Sequence, residues 1–344
     1  MLRRPRETSK KHSLDHPYSG PPTTFSTLAA VLDESEIVVP AELAELHEKY
    51  CGEDGRAWIA GLPALAAAYL DQWQLTMDGP LASGAVALII PVLRRDGSTA
   101  VLKLQPVDDE TGGEPAALQA WAGQGAVRLL EHDPSSGAML LERLDASRDL
   151  STMTDDFAAA KIIAELLVQL NSMPAPSGMR QLADVAAATL TQTPEAIRLA
   201  QDPDEGRLLI NCAARYQELI TERMENRLLH WDLHYYNTLS TLDGAGEWKA
   251  IDPKPLGGDS GFELLPALWN RWDDLVGTGD LPAALLRRFD LMTEVMGLDR
   301  SRAAGWTLGR VLQVAVWDLV RFREGRIWPS HRTIAEVLIE RYAG

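Results

Sequence analysis

The hydrophobic pattern of this 344-residue chain changes once, near residue 145, and that change limits the folds open to it. Between about 70 and 145, short runs typical of β-strands are separated by turn residues, with one helical stretch among them. From Asp155 onward, nearly every segment has apolar residues at helical intervals. A chain of this length also exceeds the usual size of one core. The sequence therefore predicts an α+β fold, with a small sheet lobe followed by a larger, mainly helical lobe.

The small lobe is expected to contain a five-stranded antiparallel sheet. The stretch "LASGAVALIIPVLRRDGSTAVLKLQ" holds two β-type runs joined at Asp96-Gly97, a strong hairpin pair, and "WQLTMDGPLA" precedes them as a first strand. A helical segment, "EPAALQAWAG", separates these strands from two more around the turn "PSSG". One sheet and one long helix in this lobe follow from the pattern.

The predicted domain boundaries are 1–40, 41–145 and 146–344. The first segment begins with "MLRRPRETSKKHSLDHPYSGPP", which is basic and rich in Pro and Ser, and we expect the segment to be disordered. Two amphipathic helices should then lead into the sheet lobe. The helical lobe is interrupted only at 227–252, where two short β-like pieces flank "LDGAGE".

The charge balance argues against nucleic acid as a partner. Lys and Arg number 33 against 49 Asp and Glu, so the formal net charge is −16. Such a surface repels a phosphate backbone and favours a cationic small molecule.

Cys51 and Cys212 are too few for a disulfide framework or a zinc cluster, and no apolar run approaches the ~20 residues that cross a bilayer. We expect a cytoplasmic protein, a monomer or weak dimer, that binds neither nucleic acid nor a membrane.

The segment "HWDLHYYN", from His230 to Asn237, concentrates polar residues in one short loop. His-x-Asp-Leu-x-x-x-Asn is the catalytic-loop pattern of protein kinases and their small-molecule relatives. In phosphoryl transfer the aspartate takes the proton of the acceptor hydroxyl, and the asparagine reaches a magnesium ion on the nucleotide phosphates. The pattern predicts Asp232 as the catalytic base and Asn237 as a metal ligand.

Two further charged residues occur in the order that this chemistry requires. Asp252, in "AIDPK", follows a short apolar strand, where kinase-like folds place a second magnesium ligand. Lys103, in "AVLKL", needs a counter-charge that nucleotide phosphates supply. Glu114 is the expected ion-pair partner of Lys103, with Glu110 as the alternative. The alternatives are a turn-forming role for Asp252 and a solvent-facing edge-strand position for Lys103.

The remaining nucleotide contacts are predicted by position in a kinase-like fold. "LLERLD" ends the fifth strand, where such folds hold adenine by main-chain groups. Leu141 should border the adenine, and the carbonyl of Glu142 and the amide of Leu144 should contact it. Ser83 and Gly84 are the candidates for a phosphate loop, although a Ser-Gly pair before a strand is more often a simple turn.

The chain resembles aminoglycoside phosphotransferases, and more closely their streptomycin 6-kinase and hydroxyurea kinase branch. The residues that carry the resemblance span about 42–320: "GRAWIAGLPAL", "AVLKLQ", "MLLERLD", "LLHWDLHYYN", "AIDPKPLGGD", "FDLMTE" and "RAAGWTLGRVLQ". The resemblance implies a protein-kinase-like bilobal fold with ATP between the lobes. It also implies magnesium-dependent transfer of the γ-phosphate to an antibiotic hydroxyl. Carried over by position, it gives Asp232, Asn237, Asp252 and Lys103 the roles stated above.

Two residues depart from the wider family. Many members have Gly in place of Trp231 and an acidic residue in place of Lys254, and both positions should lie near the transferred phosphate. Within the same loop, His230 is expected to pack beneath the main chain and hydrogen-bond to it. His234 either faces the substrate or makes a supporting hydrogen bond.

Recognition of a guanidinium or ammonium sugar requires acceptor groups near the base. Asp259, Glu263 and Asp318 are the candidate carboxylates, with helix capping, a solvated face or, for Glu263, fixing of the metal loop as alternatives. Four tryptophans of this lobe are expected mainly in the core, although one could wall the sugar pocket: Trp269, Trp272, Trp306 and Trp317.

The predicted function is phosphorylation of an aminoglycoside, with the 6-hydroxyl of streptomycin as acceptor and antibiotic resistance as the outcome. One alternative is a kinase for another small hydroxyl compound, such as hydroxyurea, a sugar or a metabolite. A second is a nucleotide-binding pseudokinase, although no catalytic residue is missing.

Overall fold

The computed structural model describes residues 37–222, 224–244, 246–323 and 325–342. Most of the N-terminal extension that we expected to be disordered lies outside the described residues. The described chain divides into two compact units. The sheet unit comprises 37–112 and Leu130–Leu141, and the helical unit comprises Gly113–Leu129 and 142–342.

Helix α1 (Ala41–Gln72) opens the sheet unit and is broken at Gly52, whose φ of 59° and ψ of −125° are not helical. The two halves correspond to the two leading helices expected from the sequence. Gly55 lies just beyond the break, where a Cβ atom would collide with the carbonyl oxygen of His47. The absence of a side chain at Gly55 therefore allows the two halves to approach closely.

The sheet has the order β1-β3-β4-β6-β5, with β2 also paired to β3. Its strands are β1 (Thr76–Met77), β2 (Ala82–Ser83), β3 (Leu88–Leu93), β4 (Thr99–Leu104), β5 (Leu129–Asp133) and β6 (Ala138–Glu142). Strands β1 and β2 pair with opposite ends of β3, so they are two pieces of the expected first strand. The five expected strand positions are therefore confirmed, and the first of them is split.

The predicted β3-β4 hairpin is confirmed, and its turn uses the expected residues. The N–H of Arg94 donates to the carbonyl of Ser98 at 2.9 Å, and Gly97 adopts a φ of 81°. The Asp96 carboxylate accepts the N–H of Ser98 at 2.9 Å. The pair is antiparallel from Leu88–Leu104 to Leu93–Thr99. Alternate residues of β3 are buried and join α1 residues in one apolar core.

The helical unit contains nine α-helices among its described residues: α2 (Glu114–Trp121), α3 (Asp156–Leu170), α4 (Leu182–Leu199), α5 (Pro203–Thr221), α6 (Leu264–Leu268), α7 (Trp272–Gly277), α8 (Leu281–Met296), α9 (Arg300–Val316) and α10 (Pro329–Tyr342). Helix α2 is shorter than expected, and α10 was not anticipated. Helix α9 is buried on every side from Ala303 to Val316 and continues into a π-helical turn, Trp317–Arg321. It therefore forms the centre of this unit.

Short strands in the described part of the helical unit position the loops that matter most for function: β7 (Asp145–Asp149), β8 (Arg227–Leu229), β9 (Thr238–Ser240), β10 (Trp248–Ala250) and β11 (Leu256–Gly258). Strands β9 and β10 form the antiparallel pair predicted around "LDGAGE", and β8 pairs with β11. The loop β8-β9 carries Asp232, and the loop β10-β11 carries Asp252. Because both loops start and end on paired strands, their ends are fixed.

The expected α+β class is confirmed by a sheet unit and a mainly helical unit. Within the described ranges, no helix has both the length and the apolar character needed to span a membrane.

Candidate active site

His230 anchors the β8-β9 loop from beneath. Its ring is fully buried, and Nε2 donates to the carbonyl of Ile251 at 3.0 Å. Nδ1 accepts the N–H of Asp232 at 3.3 Å. Burial lowers the pKa of His230 to about 3, so the ring is neutral and one nitrogen can accept while the other donates. The prediction that His230 packs beneath the loop and hydrogen-bonds to main-chain groups is confirmed.

Glu263 holds the same loop from the other side. Its fully buried carboxylate accepts the N–H of His230 at 2.6 Å and that of Trp231 at 2.8 Å. With its amide nitrogen facing Glu263, Asn171 adds a third donor at 3.2 Å. Burial raises the pKa of Glu263 to about 7, against the opposing effect of these main-chain hydrogen bonds and of the Arg310 charge. These contacts fix the catalytic loop, whereas the sequence suggested substrate binding or support of the metal loop.

The Trp231 ring packs against two guanidinium groups. The guanidinium carbons of Arg180 and Arg310 are 4.1 and 4.4 Å from its ring centroid, and only 1% of the residue is exposed. The Trp317 ring lies 6.1 Å away. The main chain of Trp231 has a φ of 69°, an unfavourable value for a bulky residue. The main chain is therefore strained at the residue before Asp232, and the ring of that residue packs against both guanidinium groups.

The contacts of Arg180 and Arg310 with Trp231 were not predicted from the sequence. Arg180 precedes α4 and Arg310 lies in the middle of α9, so each is far along the chain from Trp231. Arg180 belongs to none of the quoted segments, and Arg310 stands in "RAAGWTLGRVLQ", to which the sequence assigned no contact with the catalytic loop.

Asn237 and Asp252 are brought to the catalytic loop by main-chain hydrogen bonds. The N–H of Ile251 donates to the carbonyl of Asn237 at 2.9 Å. The side-chain nitrogen of Asn237 donates to the carbonyl of Asp232 at 3.0 Å, which leaves its oxygen directed elsewhere. Asp252 adopts a φ of 55°, at the sharp bend that follows β10. The structure therefore joins in one assembly the segments that carry all three residues.

Lys254 completes this assembly. Its Nζ donates to Oδ2 of Asp252 at 3.1 Å, and its N–H donates to the carbonyl of His230 at 3.0 Å. Burial alone would lower the pKa of Lys254, but the charges of Asp252, Glu114 and Asp232 outweigh it and raise the pKa above the usual value. The side chain is therefore an ammonium ion that pairs with the Asp252 carboxylate.

Glu114, the first residue of α2, is fully buried in the helical unit. In the sequence we paired it with Lys103, and in the structure its charge acts on Lys254. Glu110, the alternative partner, lies in the turn before α2 and is 2% exposed. Lys103 lies on β4 of the sheet unit and is 3% exposed. Its pairing with either glutamate stays a prediction.

The other proposed substrate residues have structural contacts of their own. His234 is buried, which lowers its pKa, and its Nδ1 has no hydrogen-bond partner among the described residues. Asp259 accepts the N–H of Gly261 at 3.1 Å and pairs with the Arg302 guanidinium at 2.8 Å. Asp318 is fully buried in the π-helical turn. Substrate contacts by these residues stay predictions.

The positions predicted to contact the nucleotide are distributed over both units. Ser83 ends β2, and Gly84 follows in an exposed turn. Leu141 lies near the end of β6, the last sheet-unit residue. Glu142 begins the helical unit, where its carboxylate binds the Lys249 ammonium at 2.6 Å. Leu144 follows and is 8% exposed. Their contacts with adenine and phosphate stay predictions.

Comparison with known proteins identifies the family. Residues 72–321 match the model of the family described as aminoglycoside/hydroxyurea antibiotic resistance kinases. A streptomycin 6-kinase of Streptomyces glaucescens is 50% identical over 302 residues, covering 88% of this chain and 97% of the relative. A hydroxyurea phosphotransferase of Kitasatospora aureofaciens is 47% identical over 312 residues, covering 89% of this chain and 87% of the relative.

A solved structure confirms the protein-kinase-like fold. A thermostable mutant of the aminoglycoside phosphotransferase APH(4)-Ia, in a ternary complex with AMP-PNP and hygromycin B, superposes with a TM-score of 0.55 at 14% identity. The match covers 78% of this chain and 94% of that one. The catalytic-loop pattern, the fold and the family model agree, and the chain belongs to the aminoglycoside/hydroxyurea antibiotic resistance kinases.

Proposed function

We propose that the protein transfers the γ-phosphate of ATP to a hydroxyl of an aminoglycoside, with the 6-hydroxyl of streptomycin as the acceptor. The observation that carries this proposal is the assembly of Asp232, Asn237, Asp252 and Lys254 on two hydrogen-bonded loops. The identity of 50% to a streptomycin 6-kinase supports the choice of substrate. The net charge of −16 also suits a cationic antibiotic.

Asp232 acts as the catalytic base in this proposal. The main-chain N–H of Asp232 binds His230 and its main-chain carbonyl binds Asn237, so the backbone is fixed on both sides of the side chain. A carboxylate held in this way can orient the acceptor hydroxyl and take its proton as the phosphorus–oxygen bond forms. Catalysis then consists of positioning and charge neutralisation, with no covalent enzyme intermediate.

Asn237 and Asp252 are the proposed magnesium ligands. Their amide and carboxylate oxygens are the hard donors that Mg²⁺ prefers. Among the described residues, no group of three or more His, Cys, Asp or Glu is placed to bind a metal. Two protein oxygens fit an ion that also binds phosphate oxygens and water. When bound, the ion would neutralise charge on the nucleotide phosphates.

The nucleotide contacts follow the resemblance. Lys103 would bind the α- and β-phosphates, with Glu114 as its partner, and Ser83 and Gly84 would lie near the phosphates. The adenine would contact main-chain groups close to Leu141. For Glu142 and Leu144 we propose the carbonyl and the amide, respectively, as the hydrogen-bonding groups.

Substrate recognition is assigned to groups near the base. His234, with an unpartnered Nδ1, and Asp259 are the candidates for contacts with the antibiotic. Glu263 binds two main-chain N–H groups of the catalytic loop, and the Trp231 ring packs against Arg180; these contacts favour positioning over direct substrate binding. This revises the substrate role that the sequence suggested for these two residues.

Mass spectrometry of streptomycin incubated with the protein and Mg-ATP tests the function. We expect one added phosphoryl group, located at the 6-oxygen by phosphorus–proton correlation NMR, and none with Asp232→Asn. Hydroxyurea is the competing acceptor, because one relative carries that activity in its name. Modification of hydroxyurea with streptomycin unchanged would replace the proposed substrate. ATP binding without transfer to any acceptor would instead favour a pseudokinase.

A further inference from the structure

Lys254 is a second cation of the proposed active site, in addition to Lys103, and the catalytic-loop pattern assigns it no role. Its Nζ lies 3.1 Å from Oδ2 of Asp252, and only 17% of its side chain is exposed. The charges of Asp232 and Glu114 act on the same ammonium. A largely buried cation thus pairs directly with a proposed metal ligand.

The main chain of Lys254 is fixed relative to the catalytic loop. Lys254 stands between Pro253 and Pro255, whose rings restrict the main chain on both sides. Its N–H donates to the carbonyl of His230, two residues before Asp232. The lysine is therefore registered against the catalytic loop by a direct hydrogen bond.

We propose that Lys254 is a catalytic residue that binds the transferred phosphoryl group through its ammonium. The proposal rests on the function proposed above. During transfer, the bond between the γ-phosphorus and the leaving oxygen of ADP breaks, and ADP keeps the electron pair. A new bond forms from the acceptor oxygen to phosphorus, and the hydroxyl proton moves to Asp232. The Lys254 ammonium neutralises charge on the phosphoryl oxygens throughout this exchange.

Lys254 and the metal ion would compete for the Asp252 carboxylate, and this competition supports the role. A divalent ion held by Asp252 would use the same carboxylate that binds the lysine, so metal binding weakens the Lys254–Asp252 contact. Once this contact weakens, the N–H that Lys254 donates to Asp252 needs a new acceptor as its partner, although the charges of Asp232 and Glu114 still act on the ammonium. The γ-phosphoryl oxygens, which arrive with the nucleotide at the metal, supply that partner. Lys254 thereby places a positive charge next to the phosphoryl group in the transition state.

Two measurements test this role, and the first does not depend on activity. Mn²⁺ affinity of the nucleotide-free protein is measured by electron paramagnetic resonance for the wild type, Lys254→Met and Lys254→Arg. Removal of the competing cation in Lys254→Met should tighten Mn²⁺ binding about tenfold, since a nearby unit charge opposes the ion. Lys249→Met is the matched control, because Lys249 forms an ion pair of similar burial with Glu142. It should leave Mn²⁺ affinity unchanged.

The second measurement is kcat at saturating metal and ATP. Lys254→Met should lower kcat by about 100-fold or more with little change in KM for ATP, because the charge acts mainly on the transition state. Lys254→Arg keeps the charge and should recover part of the loss. Thermal unfolding checks each variant, and Lys254→Gln replaces Lys254→Met if the latter does not fold.

The outcomes separate the two proposals. Tighter Mn²⁺ binding with an unchanged kcat would show that Lys254 only regulates metal access, and it would overturn the catalytic role. Unchanged Mn²⁺ affinity would overturn the competition for Asp252 on which the argument depends. Failure of the proposed function has a different signature, since the wild type would then phosphorylate no aminoglycoside.

Discussion

The main-chain N–H of Trp231 donates a 2.8 Å hydrogen bond to Oε2 of Glu263, across a separation of 32 residues. The other oxygen of Glu263 accepts the N–H of His230, so one carboxylate fixes two consecutive peptide groups. Asp232 is the next residue along the chain. A buried carboxylate at the end of a 3₁₀-helical turn, Ser260–Glu263, therefore controls the main-chain path that leads into the proposed base.

Replacement of Glu263 by Gln should impair both stability and catalysis. The amide keeps one acceptor oxygen but places a nitrogen against a main-chain donor, which costs about 1–3 kcal/mol. Because the displaced loop carries Asp232, we expect kcat to fall at least tenfold. Urea unfolding and steady-state kinetics measure the two effects.

Glu205→Gln is the matched control for this experiment. Glu205 is a second buried carboxylate that accepts a main-chain N–H, that of Ile327 at 3.3 Å, and burial likewise raises its pKa. Its substitution should reduce stability and leave kcat unchanged. Equal losses of kcat in both variants would mean that the effect of Glu263 on catalysis is only a general loss of stability.

Asp232→Asn should abolish turnover and preserve the fold. The loop contacts of Asp232 with His230 and Asn237 use main-chain atoms, which the substitution keeps. Loss of the base should lower kcat by about 10²–10⁴-fold. Calorimetric ATP binding and thermal unfolding should match the wild type.

Asp155→Asn is the control, because Asp155 caps α3 through the N–H of Ala158 and asparagine caps equally well. Turnover within a few-fold of the wild type in Asp232→Asn would contradict the role of base.

Trp231→Gly and Trp231→Phe separate the ring from the backbone conformation. Glycine accepts a φ of 69° without strain but removes the ring that packs against Arg180 and Arg310. We expect Trp231→Gly to lose about 2–4 kcal/mol of unfolding free energy, because the lost packing exceeds the relieved strain. Phenylalanine retains an aromatic face and should lose less. If glycine proved as stable as tryptophan, the guanidinium stacking would not be stabilising.

Local patterns predicted most of the fold. The hairpin at Asp96-Gly97 and the strands β9 and β10 follow from turn residues and alternation that act over a few positions. The split of the first strand was not predictable, since it depends on how β1 and β2 pair with opposite ends of β3. Helix α10 was overlooked, although "HRTIAEVLIERY" has helical spacing.

In the proposed site, the sequence identified residues of a contiguous motif and missed those that act from a distance. Asp232 and Asn237 share one loop, so their spacing alone was informative. Arg310 reaches Trp231 only because α9 passes through the centre of the unit. The effect of Glu114 on Lys254 likewise depends on how α2 packs, which no local pattern records.

Acidification should destabilise the protein through His331 of α10. Burial lowers the pKa of His331 to about 4, and the Arg310 charge acts in the same direction. In the unfolded chain the pKa is near 6.5, so below that value the unfolded state binds the proton first. The contribution of neutral His331 to the free energy of unfolding is thus fully present above pH 6.5 and is lost as the pH falls towards 4. The loss should reach about 2 kcal/mol between pH 7 and pH 5. Urea unfolding of the wild type and His331→Gln at these two pH values measures it, and the variant should lose correspondingly less stability. The same pH dependence in both proteins would show that His331 is not held neutral in the folded state.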